Sequence, residues 1–96
     1  MNIPVNPIIP PEQSLIEYPC VFPIKVMGPH LEEFVASVVA LVVQYDPGFD
    51  AQTLERRPSS TGKYVGLTVT VTATSREHLD NIYRALTSHP QVKYVL

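Results

Sequence analysis

Apolar and polar residues alternate strictly over one segment of the chain. From Val65 to Val71 every odd position is apolar, while Gly66 and threonines occupy the even positions. A period of two is typical of a β-strand with one buried face and one wetter face. The Pro-Ser-Ser-x-Gly sequence just before it has the residues of a tight turn. We therefore predict a turn over residues 58–63 and a strand over residues 64–74.

Two other segments have the apolar spacing of amphipathic helices. The first, over residues 31–45, follows Gly28-Pro29-His30, and its flanking signals and length favour a helix over a strand despite its β-branched valines. The second begins after Ser75, whose hydroxyl can accept a first-turn N–H, and ends before His89. The predicted buried stripes are Leu31, Phe34, Val35, Val38, Leu41, Val42 and Tyr45, and then Leu79, Ile82, Tyr83 and Leu86.

Together with the helices, the strands give the order βαββαβ. Right-handed connections then predict an α+β domain: a four-stranded antiparallel sheet in the order 4-1-3-2, with both helices on one face. Pro19 and Pro23 indicate that regular pairing of the first strand starts only near Ile24. The four predicted strands cover residues 18–27, 49–57, 64–74 and 92–96.

Residues 1–17 form a proline-rich N-terminal tail ahead of a single domain over residues 18–96. Its prolines break any helix or ladder, because each lacks an N–H and fixes φ. Interleaved apolar residues leave two interpretations open, a disordered terminus or an extended arm along an apolar groove. The tail prolines are Pro4, Pro7, Pro10 and Pro11.

Composition narrows the function classes. The chain has 96 residues, 17% of them charged, and a net charge of −2, which offers no basic field for a nucleic-acid backbone. A single cysteine, Cys20, excludes an internal disulfide and fits a reducing compartment. We see no signal-peptide pattern and no apolar run long enough for a membrane helix. We therefore predict a cytoplasmic protein without a nucleic-acid or membrane partner.

Candidate chemistry is sparse. Cys20 has no neighbouring base, and neither Cys-x-x-Cys nor His-x-x-x-His spacing occurs. His30 beside two glutamates is either a surface or capping residue or, less favoured, an acid–base group, and His78 and His89 lie at helix ends. We therefore predict no catalytic residue, no metal, no cofactor and no enzyme activity.

The segment from Pro58 to Tyr64 is a plain hairpin turn or a recognition loop. It lacks the glycine spacing and following helix of a phosphate loop, yet functional groups favour loops. Candidate interaction residues here are Pro58, Ser59, Ser60, Gly62 and Tyr64.

Two faces are candidates for self-association. Val39 and Val43 lie on the outward side of the first helix. Either they are tolerated at the surface or they form a contact with a second copy of the chain. Thr68 and Thr70 lie on the sheet face opposite the helices, which either meets water or is covered. The two middle strands present threonines and Lys25 there rather than the aromatic side chains that stack bases, so we expect no base stacking. We predict a homodimer or higher homo-oligomer.

Three pieces of the sequence resemble the YbeD family of small bacterial proteins of unknown function. They are Phe22-Pro23-Ile24-Lys25-Val26-Met27-Gly28, Arg57-Pro58-Ser59-Ser60-Thr61-Gly62-Lys63-Tyr64 and the ending Val92-Lys93-Tyr94-Val95-Leu96.

This resemblance covers residues 18–96 and implies a ferredoxin-like fold similar to ACT domains, which bind small effectors at subunit interfaces. By that analogy, a small carboxylate effector would lie near Gly28, Pro29 and His30, where free N–H groups of the first helix favour an anion. The alternative is a protein-interaction adaptor that acts through the sheet face or the hairpin loop, without a small ligand.

Overall fold

Four strands and two helices follow one another in the predicted order. The computed structural model describes residues 17–96, so both interpretations of the N-terminal tail concern residues that lie almost wholly outside the described part. The elements are β1 (Cys20–Pro29), α1 (Glu32–Tyr45), β2 (Glu55–Pro58), β3 (Tyr64–Ala73), α2 (Arg76–Thr87) and β4 (Tyr94–Val95).

The strands form one antiparallel sheet in the order β2-β3-β1-β4, which confirms the predicted topology. Pairing between β1 and β3 begins already at Cys20, opposite Ala73, so the expectation that it starts near Ile24 is wrong. Successive residues of β1 direct their N–H groups alternately toward β3 and toward the β4 side. The Lys25 N–H bonds to the Leu96 carbonyl on the β4 side. Pro23 therefore turns its nitrogen toward the edge beyond β4, where the missing N–H costs no ladder bond.

The core lies between the sheet and the two helices, and it confirms the register predicted for β3. Val65, Leu67, Val69 and Val71 are fully buried, whereas Thr68 and Thr70 on the other face are half-buried. The core also takes in Ile24 and Val26 of β1, Phe34, Val35, Val38 and Val42 of α1, Leu79, Ile82 and Leu86 of α2, and Ala73.

The segment predicted as a strand over residues 49–57 is shorter and partly helical. A 3₁₀ turn occupies Ala51–Thr53, because the Asp50 carboxylate accepts the N–H of Gln52 at 2.9 Å and caps it. Only Glu55–Pro58 joins the sheet. The last strand is also shorter than predicted, since a turn closed by Val92 N–H to His89 C=O at 3.1 Å precedes it.

Both helices begin close to the predicted positions. Ser75 caps α2, and its hydroxyl accepts the His78 N–H at 3.0 Å, as predicted. The predicted burial of Leu31 and Tyr45 is wrong, because they are 45% and 36% exposed. Leu31 has an extended backbone at the N-cap of α1 and so falls off the helical stripe, and Tyr45 is the last residue of the helix.

Candidate functional site

The fold brings the two candidate loops of the sequence together at one end of the sheet. Pro29 pairs with Tyr64, and the His30 N–H donates to the Lys63 carbonyl at 3.0 Å. The His30 ring adds a bond from Nδ1–H to the Gly62 carbonyl at 3.1 Å. His30 therefore fastens the strand-to-helix junction to the hairpin tip, which is a structural task.

Gly28 is buried beneath an aromatic ring. A Cβ at Gly28 would lie 2.1 Å from Cζ of Phe34, so no side chain fits there without moving the ring. The ring is held in turn by His89, edge-on at 5.5 Å between centroids. His89 Nε2–H donates to Ser37 Oγ at 2.7 Å, and Ser37 donates to the Phe34 carbonyl at 2.7 Å. The space above Gly28 thus belongs to the core rather than to a ligand.

The start of α1 is poorly suited to an anion. Glu32 and Glu33 stand in its first turn, and Leu31 provides no side-chain cap. Glu32 also bonds to the Arg56 guanidinium at 2.7 Å, on a largely exposed surface. Two carboxylates beside the free N–H groups oppose a third negative charge.

The hairpin tip is a closed turn. Ser59 N–H donates to the Tyr64 carbonyl at 2.8 Å, and Gly62 N–H donates to the Ser59 carbonyl at 3.0 Å. Gly62 has φ of 78°, a conformation that favours glycine. The Ser59 hydroxyl accepts the Tyr64 N–H at 3.2 Å, so it is used by the turn, while the Ser60 residue is exposed.

A groove of about 490 Å³ crosses the helix-free face of the sheet. We call it the sheet-face groove. All four strands contribute to it, through residues 25–27 of β1, residues 55–58 of β2 and the adjoining residue 59, residues 66–68 of β3, and residues 94 and 96. Gly66 leaves its floor low, because a Cβ there would meet only the Arg57 carbonyl at 3.7 Å and the Met27 methyl at 4.0 Å.

Strand register decides which side chains face this groove. Arg57 pairs with Gly66 and Glu55 pairs with Thr68, so these side chains share the helix-free face. Tyr94 pairs with Met27 on the same face. Lys25, two residues from Met27, also lines the groove. The result is a surface with cations, a threonine hydroxyl and an apolar wall.

Two cations of the sheet-face groove, Lys25 and Arg57, lack a carboxylate partner within residues 17–96. Neither Lys25 nor Arg57 has a carboxylate oxygen within ion-pair distance there, whereas Arg56, which points away, is paired with Glu32. At the hairpin end of this face the Lys93 ammonium lies 5.7 Å from the centre of the Tyr64 ring. The groove thus has unneutralised positive charge in a chain whose net charge is −2.

Met27, Arg57 and Tyr94 were not predicted as site residues. The prediction that this face offers no aromatic side chain for base stacking is wrong, because Tyr94 and Tyr64 stand there at 50% and 38% exposure. The alternation along β3, continued back to residue 64, could have placed Tyr64 on this face. The position of Tyr94 could be found only from the pairing of β4 with β1.

The predicted self-association residues lie apart from one another. Val39 on α1 is half-buried and Val43 is 40% exposed. Thr68 and Thr70 stand half-buried on the helix-free face, and only Thr68 lines the sheet-face groove.

The open edges of the sheet offer few backbone donors to an added strand. The backbone N–H groups of Arg57 and Ser59 point toward β3, so the backbone positions of Arg56 and Pro58 point toward the open edge of the sheet. Pro58 has no N–H to offer there. Pro23 leaves the same gap on the free edge of β1. Where β2 stops short, the Asp46 carboxylate accepts the Thr72 N–H of β3 at 3.0 Å. These edges therefore offer an added strand fewer hydrogen-bond donors than regular strands would.

The described residues include no group of three or more metal-ligating side chains, and none of the helices among residues 17–96 has the length and apolarity to cross a membrane. His78 holds the two helices together: its Nδ1 accepts the Thr74 N–H at 3.0 Å, and its Nε2–H donates to the Tyr45 carbonyl at 2.6 Å.

Comparison with known proteins defines a family. Residues 13–96 match the family model "Protein of unknown function (DUF493)". A UPF0250 protein of Bordetella pertussis is 60% identical over 88 residues, which are 92% of this chain and 97% of that protein. A UPF0250 protein of Ralstonia nicotianae is 60% identical over 91 residues, covering 95% of this chain and 94% of that one.

The chain therefore belongs to the DUF493 family, and the predicted resemblance to YbeD proteins is confirmed. The solution structure of protein HP0495 from H. pylori is similar to it with a TM-score of 0.73 and 18% identity, covering 95% of this chain and 98% of that chain. That similarity confirms the α+β fold. The names of these relatives state no activity.

Proposed function

We propose that this protein is a non-enzymatic binding module that recognises carboxylate groups in the sheet-face groove. The observation that supports this proposal is that Lys25 and Arg57, two cations at a groove with an apolar wall, have no carboxylate partner among residues 17–96. A guanidinium binds a carboxylate through two parallel hydrogen bonds, which gives both strength and orientation.

The apolar half of the groove completes the recognition. Met27 and Tyr94 lie beside each other through their pairing, so a carboxylate held by Arg57 would place its hydrocarbon part against them. A volume of about 490 Å³ is within the range of small-molecule sites. The Gly28 region is a weaker candidate for the predicted effector, since its space is filled by Phe34 and its helix start is acidic.

A thermal-shift experiment tests this function. Benzoate, glutarate and citrate serve as carboxylate probes, and benzamide is the uncharged match of benzoate. At ten times its Kd a ligand adds about 1.4 kcal/mol to the free energy of unfolding. We expect stabilisation by at least one carboxylate, none by benzamide, and loss of the effect in Arg57→Gln.

Arg84→Gln is the matched control, because it removes the same charge from α2, on the other side of the molecule, where the Arg84 guanidinium donates to the Asn81 side chain at 2.6 Å. The proposal is contradicted if no carboxylate stabilises the protein, or if Arg84→Gln abolishes the effect as well as Arg57→Gln.

We also propose that the protein self-associates, which its excess apolar surface favours. Sedimentation equilibrium at micromolar concentration measures the mass, and a mass that stays at 10.7 kDa across the range contradicts the proposal. Loss of the oligomer in Val43→Lys would assign the contact to α1, and loss in Thr70→Lys would assign it to the helix-free face.

A further inference from the structure

The form of the sheet-face groove indicates what carries the carboxylates. The groove crosses all four strands, and neighbouring strands lie about 4.8 Å apart, so it extends over roughly 14 Å. An extended peptide advances about 3.3 Å per residue and would need roughly four residues to cross it. This length exceeds that of a compact metabolite.

The groove is also open to solvent. Its walls are formed by exposed residues, with Tyr94 at 50% and Leu96 at 59% exposure, and Arg57 exposed as well. Small-molecule sites usually bury about 70–90% of the ligand surface, which an open sheet face does not achieve. A bound peptide segment can keep one side exposed to water, because the partner protein that carries it makes further contacts with the surface around the groove.

Charge defines the chemistry of that segment. Lys25 and Arg57 line the groove, and Lys93 stands beside Tyr64 at the hairpin end of the same face, against two negative groups, the Glu55 side chain and the terminal carboxylate of Leu96. This local excess of positive charge in an acidic chain attracts a negatively charged partner at long range. Met27 and Tyr94 offer one apolar contact between the charges.

The route of binding follows from the sheet edges. Pro58 removes an N–H from the outward side of β2, and Pro23 removes one from the part of β1 that the short β4 leaves uncovered, so a partner strand finds few donors at these places. The segment therefore lies across the face, where side chains rather than backbone bonds recognise it.

We propose that the sheet-face groove binds an acidic, extended segment of a partner protein, about four residues long, with one apolar residue among its carboxylates. This inference rests on the proposed carboxylate-binding function and names the carrier of the carboxylates. The protein then acts as an adaptor for an acidic protein segment rather than as a sensor of a free metabolite.

Fluorescence anisotropy with a labelled, end-blocked Glu-Leu-Glu-Glu peptide tests the proposal, with Gln-Leu-Gln-Gln as the matched neutral peptide. We expect saturable binding of the acidic peptide at low salt, at least tenfold weaker binding of the neutral one, and weakening at higher salt. Arg57→Gln should weaken binding about tenfold, while Arg84→Gln should leave it within twofold.

The outcomes separate this inference from the function on which it rests. If the acidic peptide does not bind while benzoate or citrate still stabilises the protein through Arg57, the peptide proposal is wrong and carboxylate binding stands. If neither binds, both are wrong. Equal weakening by Arg84→Gln, or equally tight binding of a single-stranded oligothymidylate, would show a general affinity for polyanions and would also overturn the peptide proposal.

Discussion

Substitution of Gly28 by alanine separates a packing role of this residue from a ligand-binding role. The added Cβ would lie 2.1 Å from Cζ and 2.6 Å from Cε1 of Phe34, far inside van der Waals contact. The ring has no free space to enter, because Phe34 is fully buried and lies edge-on against His89. The substitution must therefore displace the ring or the strand.

The size of the effect follows from known costs of overpacking. Forcing a methyl group into a packed core costs about 1–3 kcal/mol, and expelling a buried phenyl ring approaches the 3–5 kcal/mol of a Phe→Ala change. We expect Gly28→Ala to lower the free energy of unfolding by about 3 kcal/mol. For a domain of this size that corresponds to a fall in Tm of about 12–24 °C.

Urea unfolding followed by circular dichroism measures this change, and Gly66→Ala is the matched control. A Cβ at Gly66 meets nothing closer than 3.7 Å, so this variant should be neutral or more stable by up to about 1 kcal/mol. Phe34→Leu in the Gly28→Ala background should recover part of the loss, because the shorter side chain makes room. Equal stability of the two alanine variants would refute the packing argument.

Four further substitutions test other parts of the fold. Val69→Asp should cost several kcal/mol in urea unfolding, since it places an unpaired carboxylate in the core, whereas Thr70→Val on the other face should be mild; the reverse would mean a register wrong by one residue. Ser75→Ala should cost about 1 kcal/mol by removing the cap of α2, and an unchanged urea midpoint would contradict that role. Burial raises the pKa of Tyr83 above its usual value of 10.0, so the unfolded chain ionises first and stability should fall as pH rises past that value. Tyr83→Phe should reduce this fall, and an unchanged pH dependence between about pH 9 and 11 would contradict it.

The sequence predicted the parts of the fold that depend on periodicity. The alternation from Val65 to Val71 gave the correct buried face of β3, and the spacing of the helical stripes gave both helices. Two failures occur where the local backbone conformation departs from the pattern. Asp50 caps a short turn where a strand was predicted, and Leu31 takes an extended backbone at the helix start.

The candidate site was harder to predict, because it depends on pairing between distant strands. Arg57 and Gly66 face each other only in the observed register of β2 and β3. That Lys25 and Arg57 have no ion-pair partner in the described part of the chain is likewise a property of the folded surface rather than of the sequence. The glycine at residue 28 drew attention to a loop, whereas its reason is the ring of Phe34, which lies six positions later and on another element.

The most direct test of carboxylate recognition by the sheet-face groove is a binding titration of Gly66→Val. The added isopropyl group would fill the floor of the groove, while the contacts around its Cβ remain ordinary. We expect the variant to be at least as stable as the wild type, since valine favours a strand by up to about 1 kcal/mol. We expect it to bind the carboxylate that stabilises the wild type at least tenfold more weakly. Thr70→Val, on the same face but outside the groove, should bind normally. A Gly66→Val protein that is folded and binds with wild-type affinity would contradict the account.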